Sequence, residues 1–432
     1  MTIAQLHDNF LKSSGVCTDT RSITKNSIFF ALKGGNFNGN KYAINALESG
    51  CLLAVVDEDV GSHEGLVLVD DVLSALQDLA SYHRNKLQCP VLAIVGSNGK
   101  TTTKELLLGV LSKKYNVCAT KGNLNNHIGV PLTILTAKLD TGFLLVEMGA
   151  NHQGEIKILC EIAKPDHGVL ANIGLAHLEG FGGIEGVKKG KTELYRYLNK
   201  VNGLVFFNND EPSIQEFKDY ISEIHSYGVE TDVRVGSVSI SDGSLHLEVM
   251  IEIAPCTVRS KLFGEYNVNN ILTAMAVGHY FKVDTKKMVS AIEDYTPENN
   301  RSQLKITSNQ NILVLDAYNA NPTSMSNAIQ EFSKLNNGSN YYILGDMLEL
   351  GSESAKEHLK ILTSLNSKKG IKLLVGEEFA IHKFAYGKND DFHFFDDVVS
   401  LKLELRNLNI RKANILIKGS RGVALEKTLP EL

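Results

Sequence analysis

Residues 91–103, Val-Leu-Ala-Ile-Val-Gly-Ser-Asn-Gly-Lys-Thr-Thr-Thr, constrain the fold of this chain more than any other stretch. The five apolar residues 91–95 predict a buried parallel strand, and residues 102–111 have the apolar spacing of a helix. Between them, residues 96–101 predict a tight loop. A Gly-rich turn that leads from a strand into a helix N-terminus presents free backbone N–H groups to an anion. The stretch therefore predicts a site for nucleotide phosphates.

The side chains of this loop support the same chemistry. Lys100 supplies a point charge for the outer phosphates, and the Thr101 hydroxyl is placed as a magnesium ligand. The full phosphate-loop pattern has a glycine where Ile94 stands, so this loop is a shorter variant. An ordinary turn that happens to contain Gly and Lys is disfavoured, because strand, loop and helix all lie where phosphate binding requires them. The residues assigned to phosphate binding are Gly96, Ser97, Asn98, Gly99, Lys100, Thr101 and Thr102.

Length and composition limit the other possibilities. A chain of 432 residues is long enough for roughly two to four domains. Its net charge of −5 disfavours a nucleic-acid binder that depends on phosphate contacts. It has no apolar run of about 18 residues, and its N-terminus lacks the basic and apolar regions of a secretory leader. The six cysteines are scattered singly. We expect a cytoplasmic monomer with buried free thiols, without nucleic acid or membrane insertion.

The order of predicted elements indicates an α/β protein of three domains. Residues 1–88 form a small N-terminal α/β domain, and residues 89–298 form a central domain of the phosphate-loop type with a mostly parallel sheet. Residues 299–432 alternate strands and helices again, which predicts a Rossmann-like domain. Within the central domain, residues 233–253 alternate apolar and polar side chains around Asp242-Gly243, a signal for an antiparallel hairpin.

Two further residues are predicted at the edge of the central sheet that carries the phosphate loop. Glu147 ends the predicted strand 143–147, and His177 follows the predicted strand 168–172. Because ligands of open α/β sheets gather at the carboxyl ends of strands, both lie on the same edge as Lys100. A carboxylate there can complete a magnesium shell. A single histidine is more often structural than a ligand, so spacing alone leaves His177 open.

Several polar stretches have two interpretations from the residues alone. Residues 18–22 and 33–40 are either capped turns or a surface for a second phosphate-bearing ligand. The cluster Lys188-Lys189-Gly190-Lys191 is more readily a solvated helix face than a site. The basic turn 418–422 follows the last strand and is a weaker candidate for an anion site.

Longer motifs resemble those of the Mur ligases, ATP-dependent enzymes that form amide bonds in bacterial cell-wall synthesis. The loop Gly96–Thr102 is similar to the ATP loop of that family. Residues 122–131, 146–151 and 172–182 are similar to other family loops. Three later stretches, 316–325, 344–351 and 418–421, resemble the member that joins D-alanyl-D-alanine to UDP-N-acetylmuramoyl-tripeptide. The resemblance implies this reaction, with an acyl-phosphate intermediate and with ATP and Mg2+ as cofactors.

The resemblance also implies roles for individual residues. It implies that Thr101 binds a first magnesium, that Lys191 is carbamylated, and that His177 and the modified Lys191 help Glu147 to hold a second magnesium. Lys189 is the alternative to Lys191 if the alignment slips. The same comparison implies catalytic roles for Lys100, Lys191, His177 and Glu147. It adds Asn267, Asn270, Arg301 and Asp316 to the ATP site, and assigns the UDP-substrate to Thr20, Arg21, Ser22 and Asn38.

The sequence departs from the family pattern at three places. Tyr266 stands where the family usually has histidine, and Asn300 replaces the glycine before Arg301. The segment Asn38-Gly-Asn40 replaces a common Asp-Gly-His. Two alternatives to the implied function are a sibling ligase, including folylpolyglutamate synthase, and a protein that binds ATP without ligating. The motifs at 318–322 and 344–351 disfavour the first, and the combination of phosphate-loop and magnesium-site residues disfavours the second.

Overall fold

The structure is a computed structural model that describes residues 1–241, 244–298, 300–335 and 338–432. Three α/β units follow one another along the chain, each built on its own parallel or largely parallel sheet. This architecture confirms the predicted fold class. No helix in the described ranges is long and apolar enough to cross a membrane. All six cysteines are free thiols, and four of them are buried.

The first unit has a four-stranded parallel sheet of order β1-β2-β5-β6 and a separate short hairpin β3-β4. Its strands are β1 Val16–Cys17, β2 Ile28–Phe30, β3 Lys33–Gly34, β4 Phe37–Asn38, β5 Leu53–Val56 and β6 Leu66–Leu68. Its helices are α1 Ile3–Lys12, α2 Ala43–Glu48 and α3 Val72–Arg84.

The central unit contains a six-stranded sheet of order β12-β11-β10-β7-β9-β8 in which every pairing is parallel. Its strands are β7 Val91–Val95, β8 Val117–Ala119, β9 Phe143–Glu147, β10 His167–Leu170, β11 Leu204–Asn208 and β12 Ile224–Tyr227. The strand β7 lies between β9 and β10, so the chain leaves it to build the sheet in both directions. Such a switch point opens a crevice at the carboxyl ends of the strands.

A three-stranded antiparallel sheet and eight helices complete the central unit as described. The antiparallel strands are β13 Val233–Ser241, β14 Ser244–Ile251 and β15 Ala254–Ser260. The helices are α4 Lys100–Leu111, α5 Gly129–Ile134, α6 Glu155–Ala163, α7 Leu178–Phe181, α8 Ile184–Lys191, α9 Glu193–Val201, α10 Val268–Tyr280 and α11 Thr285–Asp294. The predicted hairpin strands are present, whereas the turn at Asp242-Gly243 lies outside the described residues.

The third unit has a six-stranded sheet of order β16-β17-β21-β18-β19-β20, antiparallel only at β16-β17. Its strands are β16 Gln303–Ile306, β17 Ile312–Asp316, β18 Asn340–Gly345, β19 Ile371–Val375, β20 Phe392–Phe395 and β21 Asn414–Lys418. Its helices are α12 Pro322–Phe332, α13 Ser354–Asn366, α14 Glu377–Ala380, α15 Lys383–Tyr386 and α16 Val398–Leu408.

The strand and helix around the phosphate loop form for clear local reasons. All five residues of β7 are fully buried, as expected for a central parallel strand covered on both faces. The helix α4 begins at Lys100, two residues earlier than predicted, because Gly99 adopts a left-handed conformation with a φ of 78° and turns the chain directly into the helix. The loop is therefore shorter than the sequence pattern indicated.

The first unit is joined to the central unit through α3, which packs on α1, α5 and α6. Two buried histidines lie at this junction. His7 Nε2 is 3.0 Å from His83 Nδ1, and His83 Nε2 is 2.9 Å from the carbonyl oxygen of Ala137. Because Ala137 can only accept, His83 donates from Nε2 and accepts at Nδ1 from His7. This chain of hydrogen bonds requires the His83 imidazole to be neutral, because its Nδ1 must accept.

Candidate active site

A cleft of about 930 Å³ lies between the central and third units. It opens at the carboxyl ends of β7 and β9 on one side and of β17 and β21 on the other. Most residues predicted for ATP and magnesium line it: Ser97, Asn98, Gly99, Lys100, Thr101, Thr102, Glu147, His177, Asn267, Asn270, Arg301 and Asp316. Sequence reasoning therefore found one continuous surface, although its members come from two units of the chain.

The phosphate loop is held in shape by hydrogen bonds to the segment that follows β10. The Asn98 backbone N–H donates to Asn172 Oδ1 at 2.9 Å, and the Gly174 N–H donates to Ser97 Oγ at 2.9 Å. Lys100 Nζ donates to the Gly96 carbonyl at 2.7 Å. Burial lowers the pKa of Lys100, the charge of Glu147 opposes that shift, and the charge of Arg301 adds to it. The loop is thus preformed, with its cation folded back over it.

Glu147 presents a carboxylate oxygen that no described residue pairs with. Its Oε1 accepts a hydrogen bond from Asn125 Nδ2 at 2.7 Å. Its Oε2 is buried and has no hydrogen-bond partner in the described part of the chain. A buried carboxylate oxygen without a donor is costly unless a cation or a donor from a ligand approaches it. Together with the Thr101 hydroxyl on the same cleft wall, this oxygen has the chemistry of a Mg2+ ligand.

His177 lies in the cleft, in a left-handed conformation with a φ of 53°. Its Nδ1 contacts the carboxylate of Glu349, which belongs to the third unit. Burial lowers the pKa of His177, and the charges of Lys100 and Lys191 act in the same direction while Glu349 opposes them. Among the described residues, no group of three or more His, Cys, Asp or Glu side chains is arranged to bind a metal. A metal here would need other oxygen ligands as well.

Lys191 is buried rather than solvated, so the interpretation of residues 188–191 as a solvated helix face is wrong for this residue. Only 1% of it is exposed, whereas Lys188 pairs with Glu185 and Glu216 at the surface. Its Nζ lies 3.2 Å from the Ala150 carbonyl, behind the cleft wall that Ala150 helps to form. Burial lowers the pKa of Lys191 well below its usual value, and the nearby charge of Lys100 adds to this shift. Burial therefore shifts the equilibrium of this amine toward its uncharged form.

The third unit contributes a wall that carries both charges and an aromatic ring. Asp316 ends β17 directly beside Lys418 of β21, and the two side chains form an ion pair. Asp316 Oδ1 also accepts from the Ser302 N–H at 3.1 Å. The Arg301 guanidinium lies over the Tyr318 ring at 3.6 Å from its centroid, and that of Arg421 lies at 5.4 Å. In the described part of the chain, neither guanidinium is paired with a carboxylate.

Direct contacts hold the third unit against the phosphate loop. Asn321 Nδ2 donates to Asn98 Oδ1 at 2.7 Å, and the Leu175 N–H donates to Thr323 Oγ1 at 3.3 Å. Asn321 is fixed because it caps α12 through a capping box with Ser324 and precedes Pro322 in the first turn. The sequence left the position of this unit open. In this structure the cleft is closed around the loop.

None of the four residues predicted for the UDP-substrate lines this cleft. Thr20, Arg21 and Ser22 form a short 3-10 turn capped by Asp19, whose carboxylate also pairs with the Arg21 guanidinium at 2.6 Å. Asn38 caps the following turn, Gly39–Tyr42, and its Nδ2 donates to Glu58. Both polar stretches are thus capped turns, and a binding role for them stays a prediction.

Comparison with known proteins gives a consistent result. The model of the Mur ligase middle domain matches residues 94–278, and that of the Mur ligase, glutamate ligase domain matches residues 300–421. A Bacillus subtilis protein named UDP-N-acetylmuramoyl-tripeptide--D-alanyl-D-alanine ligase is 34% identical, covering 97% of this chain and 93% of the relative. The chain belongs to the Mur ligase family.

Relatives and solved structures extend the comparison over all three units. An Escherichia coli protein of the same name as the Bacillus relative is 29% identical, over 96% of this chain and 93% of its own length. The crystal structure of MurF from Acinetobacter baumannii matches with a TM-score of 0.89 and 28% identity, over 100% of this chain and 98% of that one. MurF from Thermotoga maritima in complex with ADP matches with a TM-score of 0.85 and 25% identity, over 98% and 97% of the two chains. The predicted resemblance is confirmed.

Two departures from the Mur ligase pattern have a structural explanation. Asn300 has a φ of 58°, the left-handed region in which glycine is most at ease and which asparagine tolerates better than most residues. The loop before Arg301 therefore keeps a conformation suited to glycine. Tyr266 directs its hydroxyl to Ser302 Oγ at 3.2 Å, so the side chain at this position forms a hydrogen bond with the third unit.

Sequence reasoning missed several residues of this Mur ligase cleft. Asn125 orients Glu147, Tyr318 lies against two arginines, and Glu349 contacts His177. All three lie inside stretches whose resemblance to the family was recognised, namely 122–131, 316–325 and 344–351. The motifs identified the stretches, but not which side chain in each contacts the cleft.

Proposed function

We propose that this chain is an ATP-dependent ligase that joins D-alanyl-D-alanine to UDP-N-acetylmuramoyl-tripeptide, with ADP and phosphate as the other products. This reaction builds a peptidoglycan precursor. The observation that carries the proposal is the 34% identity, over 97% of the chain, with the Bacillus ligase of that name. The closed cleft supports it, because it gathers the phosphate loop, the Glu147 carboxylate and two arginines in one place, and within the described ranges neither arginine is paired with a carboxylate.

In this proposal each of the three units has its own role in substrate binding. Residues 1–88 bind the UDP end of the precursor, residues 89–298 bind ATP, and the Rossmann-like residues 299–432 close over both. The UDP-binding residues are Thr20, Arg21, Ser22 and Asn38. The enzyme works as a cytoplasmic monomer. These boundaries are supported by the sheets, which occupy residues 16–68, 91–227 with an antiparallel extension, and 303–418.

ATP is held at the phosphate loop of the central unit. Backbone N–H groups of the loop, at the N-terminus of α4, bind the phosphates, and Lys100 turns from the Gly96 carbonyl to the outer phosphates. Asn267 and Asn270 border the nucleotide. Arg301 and Asp316 approach it from the third unit, the first toward phosphate and the second toward the ribose. The closed cleft supports this division because all of these side chains line it.

The cleft also suits Mg2+. Thr101 would bind a first ion, and His177 and carbamylated Lys191 would help Glu147 to hold a second. The observation that supports this fit is Glu147 Oε2, which is buried without a hydrogen-bond partner among the described residues. Bound there, Mg2+ would neutralise phosphate charge and so favour attack at the γ-phosphorus. The carbamate forms when the neutral Lys191 amine attacks CO2 and loses a proton to solvent, which turns a buried amine into an anionic oxygen ligand. The lowered pKa of Lys191 supports this step, because only the neutral amine has a free electron pair.

The reaction needs an activated carboxylate, because an amine cannot displace oxide from one. A carboxylate oxygen of the tripeptide attacks the γ-phosphorus in line, ADP leaves, and an acyl phosphate forms. The amine of D-alanyl-D-alanine then attacks the acyl carbon and loses one proton to the departing phosphate, which leaves from the tetrahedral intermediate. Lys100 and Arg301 reduce the repulsion between the two anions that must meet. The closed third unit excludes water that would hydrolyse the acyl phosphate.

The acceptor dipeptide enters from the side of the third unit. It carries a carboxylate that the reaction does not consume, and a planar guanidinium is suited to bind it with two parallel hydrogen bonds. Arg421 lines the cleft, is exposed, and has no carboxylate partner among the described residues. We assign the acceptor carboxylate to Arg421.

Phosphate release from ATP tests the proposed function. The tripeptide nucleotide and D-alanyl-D-alanine are supplied singly and together, and mass spectrometry identifies the product. We expect release only with both substrates, together with the pentapeptide product. Turnover with a single amino acid and a shorter precursor would instead make the chain a sibling ligase. ATP binding without turnover under any combination would make it a non-catalytic ATP-binding protein.

A further inference from the structure

The loop that follows β18 is fixed to the third unit by consecutive residues. Asp346 accepts hydrogen bonds from the N–H groups of Glu378 and Phe379, both at 3.0 Å. The Met347 N–H donates to His358 Nε2 at 3.0 Å, and the Leu348 N–H donates to Ser420 Oγ at 2.9 Å. This loop is therefore held rigidly up to the residue before Glu349.

Glu349 follows directly and projects from this support toward the central unit. Its backbone is left-handed, with a φ of 64°, which a glutamate adopts only at a cost. Its carbonyl accepts from the Glu179 N–H at 3.3 Å, and a Cβ added at Gly351 would lie 3.2 Å from Glu179 Cβ. The loop 346–351 thus docks closely on the short helix α7 that His177 precedes.

The contact between Glu349 and His177 determines which imidazole nitrogen carries the proton. A carboxylate only accepts, so Nδ1 of the neutral imidazole is the donor and Nε2 keeps its electron pair. His177 lines the cleft, and its Nε2 has no hydrogen bond to the part of the chain that the structure describes. A histidine that binds a metal through one nitrogen commonly donates the other N–H to a carboxylate, which fixes the ring.

We infer that Glu349 is a positioning residue that orients His177 across the boundary between two units, so that Nε2 faces the cleft with its electron pair free only when the third unit is docked. This inference rests on the proposed function, since it assigns His177 to the metal and phosphate site. The loop 346–351 then does more than pack against α7. Docking of the third unit and orientation of His177 occur together.

A purely superficial ion pair is the alternative, since 55% of the Glu349 side chain is exposed. Exposed pairs often contribute little that can be measured. The two cases differ in the protonated nitrogen of His177, which a superficial contact would not control. That property can be observed without metal and without catalysis.

The test is long-range ¹⁵N–¹H spectroscopy of the full chain with labelled histidine, in its ADP complex. The His177 signal is assigned by its loss in His177→Gln. We expect the Nδ1–H form in the unchanged protein and a shift toward the Nε2–H form in Glu349→Ala. Glu349→Gln should partly restore the original form, because its amide oxygen still accepts a hydrogen bond. Glu353→Ala is the matched control, since Glu353 lies in the same segment and pairs with Lys356 at the surface.

A second readout is the Mg2+ concentration that gives half-maximal ligation. It should rise about 10- to 100-fold in Glu349→Ala and stay constant in Glu353→Ala. The Nε2–H form in the unchanged protein, or the same tautomer in the unchanged protein and in Glu349→Ala, would overturn the inference. Absence of ligation in the unchanged protein would reject the proposed function alone, because the tautomer is measured independently of turnover.

Discussion

Replacement of Gly99 by alanine should perturb the phosphate loop, and the structure allows the loss of stability and of ADP affinity to be calculated approximately. Gly99 is left-handed, and a Cβ added there would lie 2.5 Å from Asn270 Oδ1. Asn270 has little freedom to withdraw, because its Oδ1 accepts from Thr103 Oγ1 at 3.0 Å and its Nδ2 donates to Asn267 Oδ1 at 2.8 Å. Either the asparagine or the loop must therefore move.

The substitution Gly99→Ala has a free-energy cost with two parts. The left-handed conformation costs an alanine about 1–2 kcal/mol. Loss of the two buried hydrogen bonds of Asn270 costs about 0.5–1.5 kcal/mol each. If the asparagine moves, the free energy of unfolding falls by the sum, about 2–5 kcal/mol. If the loop moves instead, its N–H groups lose their alignment toward phosphate, and we expect the Kd for ADP to rise about 10- to 100-fold, equivalent to about 1.4–2.8 kcal/mol.

Calorimetric titration with ADP and Mg2+ and urea unfolding measure the two quantities. Gly154→Ala is the control, since Gly154 has a φ of 88° but no atom within 4 Å of an added Cβ. It should lose only the backbone part, about 1–2 kcal/mol, and bind ADP normally. Equal losses of stability in the two variants, together with an unchanged Kd for ADP in Gly99→Ala, would refute the argument that the side chain of Asn270 blocks the space.

Three further predictions follow from the buried lysine, the unpaired arginine and the histidine pair. Lys191→Ala should abolish turnover, and bicarbonate should restore activity to unchanged protein that has lost CO2; full activity of the variant would exclude the carbamate. Arg421→Met should raise KM for D-alanyl-D-alanine about 10-fold or more at constant KM for ATP, consistent with a lost charged hydrogen bond. With the C-terminal amide of the dipeptide as acceptor, Arg421→Met and the unchanged protein should have the same KM. An equal rise in KM for the dipeptide and for its amide would indicate a structural role of Arg421. Burial lowers the pKa of His7 and of His83 below the ordinary 6.5, so both bind protons more readily when the chain unfolds. Stability should therefore be complete above pH 6.5 and fall as the pH drops below it, and His83→Gln should weaken this dependence in urea unfolding at pH 7 and 5.5. An identical slope in the variant would show that other groups cause it.

The fold could be predicted from the sequence where a buried element is a continuous run of apolar residues. The predicted strands 91–95 and 143–147 have the same bounds as β7 and β9. Parallel strands covered on both faces are apolar along nearly their whole length, and only the final residue of β9, Glu147, is charged. The strand β15 was missed, since it begins with exposed residues and contains Pro255. The helix α1 was also missed, although Thr2 and Gln5 have the spacing of a capping box and form one in the structure.

The site was predictable only where it is local. Glu147 ends β9, and Lys100 begins α4 after the short loop that follows β7, so the positions of the strand ends sufficed to bring them together. The burial of Lys191 could not be predicted, because a run of lysines near a helix end is usually solvated. The contact of His177 with Glu349 joins residues 172 positions apart and exists only through docking of two units. No local pattern encodes such a contact, and resemblance identified its segment without its partner.

The hydrogen bond between Asn98 and Asn321 has a thermodynamic consequence. A residue of the phosphate loop itself holds the third unit, so occupancy of the loop and closure of the cleft share one free energy of coupling. Coupling of this kind is reciprocal. If ATP increases the equilibrium constant for closure by some factor, closure increases the affinity for ATP by the same factor. A compound that wedges the third unit open would thus weaken nucleotide binding without contacting the nucleotide pocket. An acceptor analogue that holds the unit shut would slow the release of ADP.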